Sequence, residues 1–286
     1  MSDTPELSIC IVSWNVRELL LVCLRSLTKI EIPYEVIVVD NGSHDGSVDA
    51  VKREFPQVKL TANPQNYGFA VANNQAIHQA TAPWVVLLNC DSELVDDPFN
   101  VLIAVAKTDD QIACVAPELI YPDGRHQRSV RHFPKLSDQA VVLLKLRQLL
   151  AWTPVMKKYM TEPDLTNRLP IDVDQVMGAC MLIRRTALQQ VGLLDEGYPN
   201  WFEEVDWCKR AKQADWRIVY VPTAQVIHHG GSSFNQVLSL KKHRWLLIGL
   251  KRYAHKFWPS WQQPVVKALA AISYGLTIFQ TLFKPR

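Results

Sequence analysis

Two apolar runs that end abruptly at a polar, acidic tip constrain this chain most. Ile37-Val38-Val39 stops at Asp40 and is followed by Asn41-Gly42-Ser43-His44-Asp45-Gly46-Ser47; further on, Val85-Val86-Leu87-Leu88 stops at Asn89-Cys90-Asp91-Ser92-Glu93. Short continuous apolar runs bounded by turn formers read as strands buried on both faces. In an open α/β sheet such strands deliver their terminal acids to the carboxyl edge, where ligands bind. Two acids on that edge can hold a nucleotide and a metal ion.

The rest of the first half alternates to match. Strands are predicted over Ser8 to Trp14, Glu35 to Val39, Val58 to Ala62, Trp84 to Leu88 and Ile112 to Ala116, with helices over Val16 to Leu27, Gly46 to Phe55, Phe69 to Ala80 and Pro98 to Lys107. Alternating elements predict a Rossmann-like, mostly parallel sheet covered on both sides, with right-handed crossovers. Beyond Ala116 the pattern loosens into turn chemistry at Tyr121-Pro122-Asp123-Gly124 and a basic stretch, Arg125 to Arg131. Residues 138–160 read as an amphipathic helical insert. Gln175 to Arg184 is apolar around Gly178, and helices follow over Thr186 to Val191 and Glu203 to Ala214. Trp216 to Val221 and Ala224 to His229 read as a strand pair around Pro222, before a long basic helix, 237–257, and an apolar one, 264–283.

With 286 residues, 48% of them hydrophobic, the chain can bury a core without staples. Its six cysteines form no C-x-x-C pair, so they read as reduced core thiols. Met1 to Leu7 lacks the apolar core of an export signal, which places the expected site of action in the cytoplasm. The net charge of +3 hides an asymmetry: no Asp or Glu follows Asp215 while ten Lys and Arg do, leaving −7 on residues 1–215 and +10 on 216–286. A basic tail carrying Trp245, Leu246, Leu247, Ile248, Leu250, Phe257, Trp258 and Trp261 suits an anionic lipid surface better than nucleic acid.

Five stretches carry candidate chemistry, each with a plainer reading. Asp40 can accept the imino N–H of a pyrimidine, or its neighbours can simply reverse the chain. Asn89-x-Asp91 suits a hard divalent cation otherwise held by phosphate oxygens, or it caps the next helix. Asn63 to Asn74, with Asn66, Gly68 and Asn73, sets a glycine turn before a helix whose amides can meet an anion or sugar hydroxyls, though such turns also satisfy their own backbone. Trp201-Phe202-Glu203-Glu204-Val205-Asp206 puts three acids in one helical turn among aromatics, which raises a carboxylate's pKa and suits a general base, while acids at a helix start also serve its dipole. His228-His229-Gly230-Gly231 offers imidazole to a metal or diphosphate, or is an ordinary loop.

In this order these stretches, together with Ser8-Ile9-Cys10-Ile11-Val12-Ser13-Trp14-Asn15 and Gly178-Ala179-Cys180-Met181 and ending on His228, Gly231 and Ser233, resemble the family 2 glycosyltransferases of the GT-A fold, and within them the bacterial rhamnosyltransferase-like branch. The resemblance covers roughly residues 7–235. It implies a catalytic domain over 1–235, with 138–160 on the acceptor side, and an inverting transfer of one sugar from a nucleotide-diphosphate donor. Ser13, Trp14 and Asp40 would hold the nucleobase, with Asn66, Gly68 and Asn73 also on the donor. Asp91, Asn89 and His228 would hold Mg²⁺ or Mn²⁺ against the diphosphate. Glu204 stands where the family carries its general base, with Glu203 and Asp206 as lesser choices. The implied donor is dTDP-rhamnose and the implied acceptor a lipid-linked saccharide for a surface polysaccharide. Two departures stand out: Asn89 where many members have a first Asp, and Cys90 where the branch usually has Pro. Arg244-Trp245 resembles part of the processive-synthase signature, but Lys241 replaces its glutamine, which argues for single addition.

The tail, 236–286, is expected to lie on the inner face of the cytoplasmic membrane rather than cross it, with Lys241, Lys242, Lys251, Arg252 and Lys256 on lipid phosphates and tryptophans at head-group depth. The rival from another class is a silent binding protein of the same fold.

Overall fold

A computed structural model describes residues 4–159, 167–231 and 236–282. The first half runs β1 (Leu7–Ser13), α1 (Arg17–Ser26), β2 (Tyr34–Asp40), α2 (Ser47–Glu54), β3 (Lys59–Ala62), α3 (Phe69–Gln79) and β4 (Trp84–Asn89). These bounds lie within two residues of the periodicity reading. A short strand, β5 (Ser92–Leu94), then precedes α4 (Pro98–Ala106). Asp97 caps α4 by accepting from Phe99 N at 2.9 Å, so Asp91-Ser92 is not that helix's cap. Ser92 opens β5 instead.

The second half contains β6 (Ile112–Ile120), β7 (His126–Gln127), β8 (Val130–Arg131), α5 (Leu136–Leu143), α6 (Pro154–Tyr159), β9 (Ile171–Asp172), β10 (Gln175–Val176), β11 (Cys180–Arg184), α7 (Arg185–Val191), α8 (Glu203–Gln213), β12 (Arg217–His228), α9 (Ser239–Phe257) and α10 (Gln262–Leu282). The stretch 138–160, expected to be helical, holds most of α5 and α6 with turns between them, and Met160 lies outside the described residues, as do Ser233 and Phe283. The apolar run around Gly178 splits into β10 and β11. The pair of strands around Pro222 is one strand, β12, whose register against β6 shifts between Val221 and Gln225. A bulge there absorbs the proline without ending the ladder.

Among the described residues one sheet of ten strands runs β3-β2-β1-β4-β11-β6-β12-β5, with β7 on β6 and β9 on β12. The pairs β3-β2, β2-β1, β1-β4 and β6-β12 are parallel, whereas β11 is antiparallel to both β4 and β6. Residue for residue, Ser13 lies beside Asp40 and Val12 beside Asn89. The carboxyl ends of β1, β2, β4 and β12 and the amino end of β11 therefore share one edge. The central strands β1, β4 and β11 are mostly apolar because both faces are covered. Ile9, Ile11, Val38 and Val86 pack with Leu20, Phe99 and Leu102 of α1 and α4, while Cys10, Ile37, Val85 and Leu87 pack with Ala72, Leu188 and Trp207 of α3, α7 and α8. All six cysteines are free and buried.

A third apolar cluster joins the last two helices to this body: Leu247, Leu250, Tyr253 and Ala254 of α9 and Val266 and Ala270 of α10 are buried with Leu143, Tyr198, Phe202 and Val205. Among the described residues no helix is long and apolar enough to cross a membrane. Trp207 anchors α8 on the sheet; it is fully buried and donates from Nε1 to the Gly192 carbonyl at 2.9 Å. Trp207→Phe should cost about 1–3 kcal/mol in urea unfolding, from the cavity and the lost bond. An unchanged midpoint would show that α8 does not depend on this anchor.

Candidate active site

The shared strand edge presents Ser13 and Asp40 first, and both are buried, Asp40 to 1% exposure. Asp40 Oδ1 accepts from Ser43 N at 2.9 Å, which bends the Asn41-Gly42-Ser43 turn back on the strand. Asp40 Oδ2 and Ser13 Oγ have no protein hydrogen-bond partner among the described residues. A buried carboxylate oxygen left open is costly unless a ligand donor meets it. Trp14 lies next in the chain and is half-buried.

Asn41, read from sequence only as a turn former, organises the neighbouring loop. Its Oδ1 accepts from Tyr67 N at 3.0 Å and Asn63 Nδ2 at 3.2 Å, while its Nδ2 donates to Asn66 Oδ1 at 3.0 Å and the Gly68 carbonyl at 3.2 Å. Asn66 Oδ1 also accepts from Gly68 N at 2.9 Å, and Asn73 Nδ2 donates to the Phe69 carbonyl at 3.0 Å. The amide groups of Asn66 and Asn73 thus stabilise the turn and the start of α3. Gly42 permits the crossing: it has φ of +79°, and a Cβ there would stand 2.7 Å from the Gln65 backbone.

Asp91 is fixed by the pairing of β5 with β12, in which Ser92 lies opposite His228, and by His229 N donating to the Asp91 carbonyl at 2.9 Å. Consequently His228 Nε2 stands 3.2 Å from Asp91 Oδ1 and 3.3 Å from Asn89 Nδ2. Its Nδ1 meets Gln127 Oε1 at 2.8 Å. Nε2 thus lies between a carboxylate oxygen and an amide nitrogen, with Nδ1 held by the Gln127 side chain. Carboxylate and imidazole are side chains of the kinds that ligate divalent cations. Among the described residues no group of three or more His, Cys, Asp or Glu side chains is arranged to hold a metal, so a cation here needs ligand oxygens as well.

Glu203 and Glu204 open α8 directly after Trp201 and Phe202, whose φ values are +63° and +75°. A Cβ at Gly178 would lie 3.6 Å from Glu204 Cβ and 3.8 Å from the Phe69 ring, so Glu204 stands beside the residues just before β11 and the start of α3. Glu203 is 4% exposed, and Oε2 of each glutamate lacks a protein hydrogen-bond partner among the described residues. Burial, reinforced by Glu204, pushes the Glu203 carboxyl well above its ordinary range. Burial raises Glu204 too, but the Arg131 guanidinium partly offsets it. Both carboxyls are thus raised, Glu203 the more strongly.

Asp206 is differently placed. Fully buried, it accepts from Tyr198 OH at 3.0 Å, from Arg210 Nε at 2.7 Å and from Lys256 Nζ. Both its oxygens are committed to structural partners. Asp40, Asn89, Asp91, His228 and Glu204 thus sit at or against one edge of the sheet, while Asp206 faces the last helices. Gln127 and Arg131, which touch His228 and influence Glu204, come from a stretch whose only sequence signal was positive charge.

A family model described as Glycosyl transferase family 2 matches residues 8–192. The chain is 32% identical over 216 residues, 71% of its length and 69% of the relative's, to N-acetylglucosaminyl-diphospho-decaprenol L-rhamnosyltransferase of Mycobacterium tuberculosis. It is 27% identical over 198 residues, 65% of its length and 70% of the relative's, to rhamnosyltransferase WbbL of Escherichia coli K12. In fold it resembles GalNAc-T7 with UDP, GalNAc and Mn²⁺ (TM-score 0.58, 17% identity, 87% of this chain, about half, 48%, of that one). It also resembles the Pyrobaculum calidifontis mannosyltransferase PcManGT with GDP-Man and Mn²⁺ (TM-score 0.57, 15% identity, 99% of this chain and 76% of that one). With a profile spanning well over half its length and these relatives, the chain belongs to the family 2 glycosyltransferases and carries the GT-A fold.

Proposed function

We propose that this glycosyltransferase moves one L-rhamnosyl unit, with inversion, from dTDP-rhamnose to a lipid-linked saccharide that begins with N-acetylglucosamine diphosphate. The observation that carries it is the glutamate pair at the strand edge, Glu204 beside Gly178 and each with a buried Oε2 that no protein group meets among the described residues. An inverting transfer needs one ionised carboxylate to take the proton of the attacking hydroxyl. Glu204, with Arg131 nearby, is that base; Glu203, protonated, limits repulsion around it. Asp206, bonded on both oxygens, drops out of the choice. The activity for which the mycobacterial relative is named supports the sugar and the acceptor class.

Asp40 Oδ2 and Ser13 Oγ, both buried without a protein partner, fit the imino and carbonyl groups of a pyrimidine, with Trp14 beside them. Asp91 and His228 would hold Mg²⁺ or Mn²⁺, and Asn89 donates within the same group. When bound, the ion neutralises charge on the departing diphosphate. The Mn²⁺ complexes of the two structural relatives support a divalent ion. The rival reading, a silent binding protein, gains nothing from two buried, partnerless carboxylate oxygens.

For the membrane, the tail's role changes from the sequence expectation. Arg252 pairs with Asp195, and Lys256 with Asp195 and Asp206, so both cations are drawn onto the protein's own acids while staying partly exposed, and Lys241 lies over the Trp245 ring. The outward apolar groups are Trp261, Val265, Ile272 and Phe279 along α10, with Leu149 and Trp152 before α6. These would enter an anionic leaflet, flanked by Lys157, Lys158 and Lys267. The α5–α6 segment would then stand between the lipid and the site, on the acceptor side.

Glu204→Gln should lower transfer of rhamnose by a hundredfold or more while dTDP binding stays within about twofold, and EDTA should abolish transfer until Mg²⁺ or Mn²⁺ is restored. Transfer that survives in the variant would remove Glu204 from its role. A raised carboxyl stabilises the fold below its ordinary pKa, and that contribution is lost as pH climbs through the raised value. Glu203→Gln should therefore unfold at higher urea than the parent near pH 8, with the gap closing towards pH 4.5, the ordinary value. A gap independent of pH would contradict the buried proton. Ile272→Glu combined with Phe279→Glu should cut flotation with phosphatidylglycerol vesicles at least tenfold; undiminished flotation would sink the docking surface.

A further inference from the structure

The glutamate pair depends on a backbone turn that is costly in isolation. Trp201 and Phe202 both take left-handed φ, in a region that non-glycine residues rarely adopt, least of all two bulky ones in succession. Such a turn persists only where its surroundings over-determine it. The surroundings here come chiefly from α9. Gly249 passes so close that a Cβ there would stand 3.1 Å from the Trp201 carbonyl oxygen and 3.1 Å from the Phe202 ring. Tyr253, one turn on, lies with its ring centroid 5.7 Å from that of Phe202.

One further turn along α9, Lys256 bridges the two ends of the loop that carries the turn. Its Nζ bonds Asp195 Oδ2 at 2.9 Å and also Asp206 Oδ1. Arg252 adds two bonds to Asp195, at 2.9 and 2.7 Å, and Arg210 and Tyr198 hold Asp206 from the other side. Asp206 is buried on the same helical turn as the glutamates, and its N–H donates to the Phe202 carbonyl at 2.8 Å. A displacement of Asp206 therefore travels into the start of α8. Catalytic carboxylates tolerate only about 0.5 Å of error.

We propose that α9 is a positioning element for the transfer reaction: Gly249, Tyr253 and Lys256 lock the Trp201–Phe202 turn so that Glu203 and Glu204 face the strand edge. The basic character of this helix is then spent partly on the site rather than on lipid. The inference rests on Glu204 being the base.

The test uses the full chain with dTDP-rhamnose and a short-chain N-acetylglucosaminyl-diphospho-prenol, at a temperature where circular dichroism shows each variant folded. Lys256→Met should lower kcat at least tenfold with the KM for dTDP-rhamnose unchanged, and should displace the acidic limb of the kcat–pH profile. Lys256→Arg should restore most of the rate, and the exposed Lys251→Met on the same helix should behave as the parent. Gly249→Ala, which pushes on the turn without touching an ion pair, should give the same split between kcat and KM, and it stands in if Lys256→Met does not fold. Folded variants at both positions with the parent's kcat and pH profile would overturn the positioning role while leaving the base in place. A parent whose transfer is indifferent to Glu204→Gln would overturn the base, and this inference with it.

Discussion

The site exists because β1, β2 and β4 are hydrogen-bonded in parallel and in one fixed register. Ser13 beside Asp40 and Val12 beside Asn89 are consequences of that ladder, and a slip of one residue would turn each apolar side chain to the opposite face. Because both faces are buried under helices, the register is held by the whole core and not by local turn chemistry. The reversed strand β11 extends the same edge by bringing Gly178 and Ala179 to it, where the Ala179 carbonyl accepts from Asn89 N at 2.9 Å. Polar residues then occupy the one rim at which the apolar layers stop.

Electrostatics at that rim follow from burial more than from charge count. The Glu203–Glu204 pair is raised because water is excluded, with the Glu204 charge adding to the rise at Glu203, while backbone N–H groups and Arg131 offset the rise at Glu204. Asp195, close to the same loop, is held well below the usual range despite its partial burial, since Arg252, Lys256 and Gly197 N all donate to it. Neighbouring acids of one loop thus diverge in protonation according to their donors. Asp206, matched by Arg210, Lys256 and Tyr198, is structural for the same reason.

The last two helices serve more than one purpose. Their inner faces complete a third apolar cluster with Tyr198, Phe202 and Val205, so they are continuous with the packing that supports the turn before Glu203 and Glu204. Their outer face leaves Trp261, Ile272 and Phe279 in solvent. Surface placed on lipid would then be mechanically joined to the turn that carries the glutamates. Burial of one face and exposure of another large apolar face on the same helix is the pattern expected of an element with two partners.

Much of this was legible in the chain itself. Apolar runs broken by Asp40 and Asn89 determined the strands and their polar tips, because periodicity and turn chemistry are local properties. The acids at 203 and 204 were visible as a group, and so was the charge of the tail. Local patterns could not say that Ser92 to Leu94 pairs with the end of β12, since that contact joins residues far apart in the chain and depends on a bulge around Pro222. Nor could they separate Asp206 from Glu204, two residues away, or pair Arg252 and Lys256 with acids of the loop before α8 and its first turn. Those outcomes depend on which donors and how much water surround a carboxylate after packing, and only the assembled tertiary structure decides that.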